Sequence, residues 1–215
     1  MYQTILFDLD GTLTDPGEGI TNSVAYSLRH YGIDVPDRRE LYKFIGPPLY
    51  ESYMNYYGFD EATAREAVEV YREYFRPKGI FENRVYDGIP ELLQALKAAG
   101  KTLLVATSKP EGFSRQILDH FGLAQYFDFV AGSTLDGSRI TKADVIRHAL
   151  AQTGLTPDGT MLMVGDREHD VLGAKEVGLP CVGVLFGYGS RPELEGAGAS
   201  YIAPTVADIS RIILG

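Results

Sequence analysis

The 215-residue sequence contains a single cysteine, fewer basic than acidic residues and no long apolar run, and each shortage excludes a class of protein. One cysteine, Cys181, cannot form a disulfide within the chain, which fits a reducing compartment. The 20 lysines and arginines are outnumbered by 29 aspartates and glutamates, so the formal net charge is -9. Because no basic cluster offsets this charge, we expect no nucleic acid polymer as a partner. No apolar run approaches the roughly 20 residues that span a bilayer, so we expect no membrane partner.

The amino-terminal segment lacks the basic region and apolar stretch of a secretory signal, so we expect a cytoplasmic protein. Cys181 lies in the apolar stretch LPCVGV, without a neighbouring His or Lys. This context predicts a buried strand thiol and not a nucleophile. We expect a monomer or a weak homodimer.

Short apolar runs alternate with stretches of helical periodicity along most of the chain. This alternation predicts an α/β fold with a Rossmann-like parallel sheet that helices cover on both faces. The predicted strands are TILF (4–7), TLLVA (102–106), FDFVA (127–131), MLMV (161–164) and CVGVLF (181–186). Predicted helices include one over 90–100 and one whose apolar stripe contains Val171, Leu172 and Val177.

The interval between the first and second predicted strands is far longer than a usual crossover. Residues 16–84 contain no convincing buried strand and instead predict several helices, with Asp or Thr near their starts and Gly or Pro at their ends. We therefore predict a core of residues 1–15 and 85–215 that is interrupted by an all-helical cap at 16–84.

Acidic, hydroxyl and basic side chains follow four of the predicted strands. In open α/β sheets the ligand crevice lies beyond the carboxyl ends of the strands, so we expect these side chains to share one edge. The candidates are Asp8 and Asp10 after the first strand, Thr107 and Ser108 after the second, Lys142 after the third, and Asp166 and Asp170 after the fourth.

Several close carboxylates repel one another, so a fold that keeps them usually supplies a cation. The residue types suit phosphoryl transfer through an aspartyl-phosphate. Mg²⁺ prefers oxygen ligands, which Asp8, Asp166 and the carbonyl group of Asp10 could provide. Thr107 would hold phosphate oxygens, Lys142 would neutralise their charge, and Asp10 would protonate the leaving oxygen and then activate water.

The segments DLDGTLTD, LLVATSK, Lys142 and GDREHD resemble, in order, the four motifs of the haloacid dehalogenase-like hydrolase superfamily. The resemblance extends along essentially the whole chain. It implies that Asp8 is the nucleophile and that Asp10 is the acid and base. Thr107, Ser108 and Lys142 would bind the phosphate. Asp8, Asp10 and Asp166 would bind magnesium, and Asp170, the second acid of the fourth motif, would contact the metal directly or indirectly. Lys142 is followed by Ala143 where many relatives have proline.

The position of the helical insert resembles the C1-capped branch, which includes phosphoglycolate phosphatases, β-phosphoglucomutases and some 5'-nucleotidases. The dehalogenases lack the aspartate at the position of Asp10, and Thr12 resembles the phosphatases more than the mutases. The resemblance therefore implies a magnesium-dependent phosphomonoester hydrolase of a small metabolite, with a nucleoside 5'-monophosphate or 2-phosphoglycolate as the leading substrates. A phosphotransferase or mutase of the β-phosphoglucomutase type and a non-catalytic phosphate-binding module are the alternatives.

The predicted cap contains one candidate loop and one aromatic patch. The segment FIGPPLYES (44–52) resembles the substrate-facing loop of C1 caps, or it is a plain turn between helices. Five tyrosines could stack on a nucleobase or form the core of the cap itself: Tyr42, Tyr50, Tyr53, Tyr56 and Tyr57.

Overall fold

A six-stranded parallel sheet organises the computed structural model, which describes residues 2–215. The strands are β1 (Thr4–Phe7), β2 (Thr14–Asp15), β3 (Arg84–Val85), β4 (Thr102–Pro110), β5 (Phe129–Ser133), β6 (Met161–Gly165), β7 (Cys181–Val184) and β8 (Tyr201–Ala203). The six-stranded sheet has the order β5-β4-β1-β6-β7-β8, and each neighbouring pair runs parallel. The predicted α/β fold with a parallel sheet is confirmed.

Helices connect these strands. They are α1 (Gly17–His30), α2 (Leu49–Tyr57), α3 (Glu61–Tyr74), α4 (Ile89–Ala98), α5 (Glu111–His120), α6 (Lys142–Thr153), α7 (Glu168–Val177), α8 (Arg191–Ala197) and α9 (Val206–Leu214), with 3-10 helices at Arg38–Phe44 and Ala124–Tyr126 and a π-helical turn at Phe75–Gly79. Over the described part of the chain, no helix combines the length and the apolar composition that crossing a membrane requires.

The contacts of the chain divide it into two units. One contains Val85–Gly215 together with the segment that ends at Thr14, and the other is Asp15–Arg84. The second unit contains α1, α2 and α3, and Arg38–Phe44, which lies in the range predicted to be helical, forms a 3-10 helix. That this unit closes over a substrate stays a prediction.

One part of the core of the first unit lies where the sheet packs against α6 and α7. Leu6, Leu104 and Met163 from the central strands join Val145 and Val171 from these helices in one buried cluster. Burial of such side chains stabilises the fold by about 1.5 to 3 kcal/mol each.

Three sequence expectations can be compared directly with the core. The predicted burial of Cys181 is confirmed, since its side chain lies in the same cluster as Leu6 and Val171. The prediction that Leu172 belongs to the apolar stripe of its helix is wrong, because its side chain is 49% exposed. The strand predicted at 127–131 begins two residues later, at Phe129, and strand β8 was not predicted.

Candidate active site

The turn after β1 contains two of the predicted catalytic aspartates. Asp8 directly follows the strand, and its N–H donates to the Val164 carbonyl at 2.9 Å, which fixes it beside β6. Gly11 then adopts a φ of +83°, a left-handed conformation that glycine accepts without strain. A Cβ atom at Gly11 would lie 2.2 Å from Oδ2 of Asp166, so only glycine allows this approach. The turn therefore brings the ends of β1 and β6 together.

Asp166 follows β6 and is completely buried. Its Oδ2 accepts the Tyr188 N–H at 2.7 Å, whereas its Oδ1 has no hydrogen-bond partner among the described residues. The segment around Tyr188 comes this close because Gly187 and Gly189 lack side chains; a Cβ on Gly189 would lie 1.8 Å from the Asp166 carbonyl oxygen. One carboxylate oxygen is thus held by the main chain while the other stays available.

Asp170 lies in the first turn of α7 and is 1% exposed. Its Oδ2 accepts the Arg167 N–H at 3.0 Å, in the manner of a helix-capping carboxylate. Gly165 makes room for this side chain, because a Cβ there would lie 2.3 Å from Cγ of Asp170. The capping interaction fixes Asp170 at the carboxyl end of β6.

Lys142 begins α6 and connects two of these aspartates. Its Nζ lies 2.8 Å from Oδ1 of Asp8 and 2.7 Å from Oδ1 of Asp170, and it donates to the Ala106 carbonyl at 3.0 Å. Burial alone would lower the pKa of Lys142, but the negative charges of Asp170 and Asp8 outweigh it, so the pKa is raised. The stem of Lys142 packs against Gly173 of α7, where a Cβ would lie 2.7 Å away. Lys142 is therefore a charged lysine that offsets the charge of the acids.

A bulge in β4 places the remaining residues. Ala106 pairs with Ala131 and Pro110 pairs with Ser133, so three residues of β4 (107–109) face only Gly132 of β5. A β-bulge next to an active site changes the direction of the side chains, which otherwise alternate between the two faces of the strand. Thr107 is 1% exposed, Ser108 is half-buried, and the Thr107 Oγ1 accepts the Lys109 N–H at 3.2 Å.

The Lys109 ammonium forms an ion pair with Oδ2 of Asp10, and both side chains are nearly buried. Burial raises the pKa of the Asp10 carboxyl above its usual value, and the charge of Lys109 opposes this effect only in part. Oδ1 of Asp10 has no hydrogen-bond partner among the described residues. The sequence places Lys109 at this strand end, but its contact with Asp10 was not predicted.

The acids also form a group that could hold a metal ion. Ligand atoms of Asp8, Asp166 and Asp170 lie within 4.8 Å of one another, and all three residues are buried. Burial, followed by the charges of Asp170 and Asp8, raises the pKa of Asp166 well above its usual value, so the ionised group requires a positive partner. The oxygen-only donors and the open Oδ1 of Asp166 fit a hard divalent cation.

The structure thus brings the predicted residues of the four motifs to one edge of the sheet: Asp8, Asp10, Thr107, Ser108, Lys142, Asp166 and Asp170. The carboxylate of Asp10 lies outside the metal-binding group and pairs with Lys109. A metal contact from Asp10 would have to use its carbonyl oxygen, and that contact stays a prediction.

Comparison with known proteins identifies the family. Residues 5–184 match the family described as haloacid dehalogenase-like hydrolase. The chain belongs to this family. A 5'-nucleotidase from Pseudomonas aeruginosa is 52% identical to this family member over 212 residues, which are 99% of this chain and 96% of the relative. The predicted phosphatase branch of the haloacid dehalogenase-like family is confirmed by such relatives.

Two further relatives of this haloacid dehalogenase-like chain are informative. The crystal structure of a predicted phosphatase from Clostridium acetobutylicum superposes with a TM-score of 0.97 at 55% identity, covering 100% of this chain and 99% of that one. A protein named tyrosine-protein kinase PtkA from Mycobacterium tuberculosis is 46% identical over 187 residues, covering 87% of this chain and 63% of the relative. The family therefore includes close relatives named for hydrolysis and one named for phosphoryl transfer.

Proposed function

We propose that this chain is a magnesium-dependent phosphomonoesterase that hydrolyses a nucleoside 5'-monophosphate through an aspartyl-phosphate on Asp8. The observation that carries this proposal is the position of Asp8. Its Oδ1 lies 2.8 Å from the Lys142 ammonium, and its carboxylate also belongs to the acidic group with Asp166 and Asp170. A carboxylate in this position is buried, fixed through its main chain and partly neutralised, which favours a nucleophile over a solvated surface acid.

The proposed reaction has two steps, and the chain supplies a residue for each transfer. In the first, a lone pair on an Asp8 oxygen forms a bond to phosphorus while the bond from phosphorus to the leaving oxygen breaks. The electron pair of that bond stays on the leaving oxygen, which takes a proton from Asp10. In the second, Asp10 removes a proton from water as the water attacks phosphorus, and the bond to Asp8 breaks.

Charge is the main barrier to an attack of one anion on another. Lys142 would neutralise charge on the phosphate oxygens, and the hydroxyl of Thr107 would donate to one of them, because its Oγ1 accepts the Lys109 N–H and its own hydrogen is not used in that bond. A divalent cation held by Asp8 and Asp166, with Asp170 beside them, would neutralise charge on the phosphate. Magnesium is the proposed ion because all the donors are oxygens.

The proposed substrate class follows from the 5'-nucleotidase at 52% identity, which covers almost the whole chain. The alternative substrate is 2-phosphoglycolate, which the resemblance to C1-capped phosphatases suggests. We propose a small, soluble phosphate ester in either case. A cytoplasmic location and a monomer or weak homodimer stay predictions.

The test is phosphate release from a panel of nucleoside monophosphates, 2-phosphoglycolate and sugar phosphates, with Mg²⁺ or with EDTA. Asp8→Asn is compared with Asp158→Asn, which removes an exposed acid outside the site. We expect magnesium-dependent release that falls at least about a thousandfold in Asp8→Asn and stays unchanged in Asp158→Asn. Release that survives in Asp8→Asn would overturn the nucleophile.

Phosphoryl transfer to a second substrate is the other candidate, because a relative at 46% identity is named a tyrosine-protein kinase. A transferase would pass the phosphoryl group from Asp8 to a hydroxyl acceptor instead of water. Adding tyrosine peptides or sugar phosphates as acceptors should then suppress phosphate release and produce a phosphorylated acceptor. We expect release to stay unchanged.

A further inference from the structure

The two oxygens of the Asp10 carboxylate have different environments. Oδ2 is paired with the Lys109 ammonium, whereas Oδ1 is buried without a hydrogen-bond partner among the described residues. Asp166 shows the same asymmetry, since Tyr188 holds its Oδ2 and leaves its Oδ1 open. In each case one oxygen fixes the carboxylate plane and the other is left for chemistry or for a ligand.

Lys109 is itself held by the bulge in β4. A Cβ atom on Gly132 would lie 2.5 Å from the Lys109 carbonyl oxygen, so the main chain at Lys109 rests directly on β5. Its N–H is bound to Thr107. The next α-helix begins with Glu111, which binds Arg115 and Arg139. The segment that carries Lys109 is therefore fixed on both sides.

Stability alone does not explain this buried ion pair. The Lys109 side chain is 6% exposed and that of Asp10 is 11% exposed, so both charges lose most of their hydration. Buried ion pairs often contribute little net stability, because the cost of desolvation is similar to the gain from attraction. An ion pair placed at the proposed acid and base of the reaction suggests a role in orientation.

We propose that Lys109 is a positioning residue that holds Asp10 with Oδ1 directed at the leaving-group oxygen of the substrate. This inference rests on the proposed function. Lys109 fixes the plane of the carboxylate through Oδ2, and the proton passes between Oδ1 and the leaving oxygen. Without Lys109, the Asp10 side chain can turn away, and the leaving oxygen loses its proton donor.

The role predicts a dependence on the leaving group. A nucleoside 5'-monophosphate releases a poor leaving group, an alkoxide that needs a proton, whereas p-nitrophenyl phosphate releases a stable phenolate that does not. General acid catalysis contributes about 10² to 10⁴ in rate, so its loss should affect only the first substrate strongly. The value of kcat/KM covers substrate binding and the transfer to Asp8, and it excludes the later hydrolysis of the aspartyl-phosphate, in which Asp10 acts as a base.

The experiment compares wild type, Lys109→Met, Lys109→Arg and Lys101→Met on both substrates. Lys101 is a matched control, because it is also a buried lysine but donates to the Tyr2 carbonyl outside the site. In Lys109→Met we expect kcat/KM to fall about a hundredfold for the nucleotide and less than about tenfold for p-nitrophenyl phosphate. Lys109→Arg should restore part of the loss, and Lys101→Met should leave the ratio of the two values unchanged.

Equal losses on the two substrates, or no loss, would overturn the positioning role. Thermal unfolding with and without Mg²⁺ shows whether each variant is folded and still responds to the ion. If Lys109→Met does not fold, Lys109→Gln, which keeps a neutral donor, is measured in the same way. A wild type that releases no phosphate, or release that survives Asp8→Asn, would instead overturn the proposed function and this inference with it.

Discussion

Both units of the chain bury hydroxyl side chains, but among the described residues the unit that contains Val85–Gly215 also buries ionisable ones. In the unit Asp15–Arg84 the buried polar side chains are hydroxyls, and each donates to a main-chain carbonyl at 2.6 to 3.1 Å: Thr21, Ser23, Ser27 and Ser52. Of the ionisable groups that the other unit buries, Lys101 donates to the Tyr2 carbonyl outside the site, and the rest share one sheet edge: Asp8, Asp10, Lys142, Asp166 and Asp170.

This difference separates structural from functional burial. A neutral hydroxyl that bonds a nearby carbonyl is satisfied at little cost. Carboxylates that share a buried site raise one another's pKa and keep open oxygens, so they lower stability unless a cation is bound. The fold tolerates such a cluster only where it is needed for chemistry, and the following substitutions test that distinction.

The largest effect is expected for Lys142→Met. The substitution leaves Asp8 and Asp170 without their shared ammonium group, so we expect about 3 to 5 kcal/mol of lost stability. Urea unfolding in EDTA measures it. Lys101→Met is the control, because its partner is a neutral carbonyl, and it should cost only about 1 to 2 kcal/mol. Equal losses would mean that the charges around Lys142 do not matter.

Gly11→Ala should come next. The new Cβ would meet Asp166 Oδ2 at 2.2 Å, and alanine would have to adopt a φ of +83°. We expect a loss of about 2 to 4 kcal/mol and a weaker rise of Tm with Mg²⁺. Gly100→Ala has a similar φ of +72° with open space around it, so it isolates the main-chain cost of about 1 kcal/mol. An unchanged Mg²⁺ response in Gly11→Ala would argue against Asp166 as a ligand.

A smaller effect is expected for Ser27→Ala in the helical unit. The Ser27 hydroxyl donates to the Ala67 carbonyl at 2.7 Å and so connects α1 with α3. We expect a loss of about 1 kcal/mol in urea unfolding. Ser23→Ala should cost less, because the Ser23 hydroxyl bonds Gly19 within α1. A larger loss for Ser23→Ala would contradict this ranking.

The smallest effect concerns Asp128, an acid outside the site. Partial burial would raise its pKa, but hydrogen bonds from Lys97 and the Leu103 N–H lower it below the usual value. An acid whose pKa is lower in the folded protein than in the unfolded chain stabilises the fold at pH values above its unfolded pKa of about 4. This stabilisation is lost as the pH falls through the folded pKa.

We therefore expect Asp128→Asn to cost no more than about 1 kcal/mol at pH 7, because the Asp128 side chain is 43% exposed and solvent screens its charge. The difference from wild type should disappear as the pH is lowered below about 4. Urea unfolding at several pH values measures it, and a difference that grows on acidification would contradict the assignment.

Much of the sheet and the position of the site could be predicted from sequence. The five predicted strands are apolar runs, and a parallel sheet brings their carboxyl ends to one edge, so Asp8, Thr107 and Asp166 could be placed together. Strand β8 was missed because three residues at the edge of the sheet, with Tyr201 41% exposed, give too little apolar signal. Leu172 was misplaced because two adjacent apolar residues on a helix do not show which one faces the core.

The finer contacts of the site depend on how closely main-chain segments approach, which sequence periodicity does not encode. Tyr188 reaches Asp166 through its N–H group, so its side-chain identity carries no signal. Lys109 reaches Asp10 because β4 bulges opposite Gly132, and the spacing of residues 107–109 alone does not show that bulge.

The bulge also makes the length of this segment part of the site. Three residues of β4 occupy the space opposite one residue of β5, and their number determines which side chains point inward. A deletion here would shift Thr107, Lys109 and Pro110 in register together, even though every residue type needed by the site remained in the sequence. In a library of single-residue insertions and deletions, we expect positions 107–109 to accept neither change, whereas the exposed turn around Gly137, where a side chain would meet only open space, should accept both.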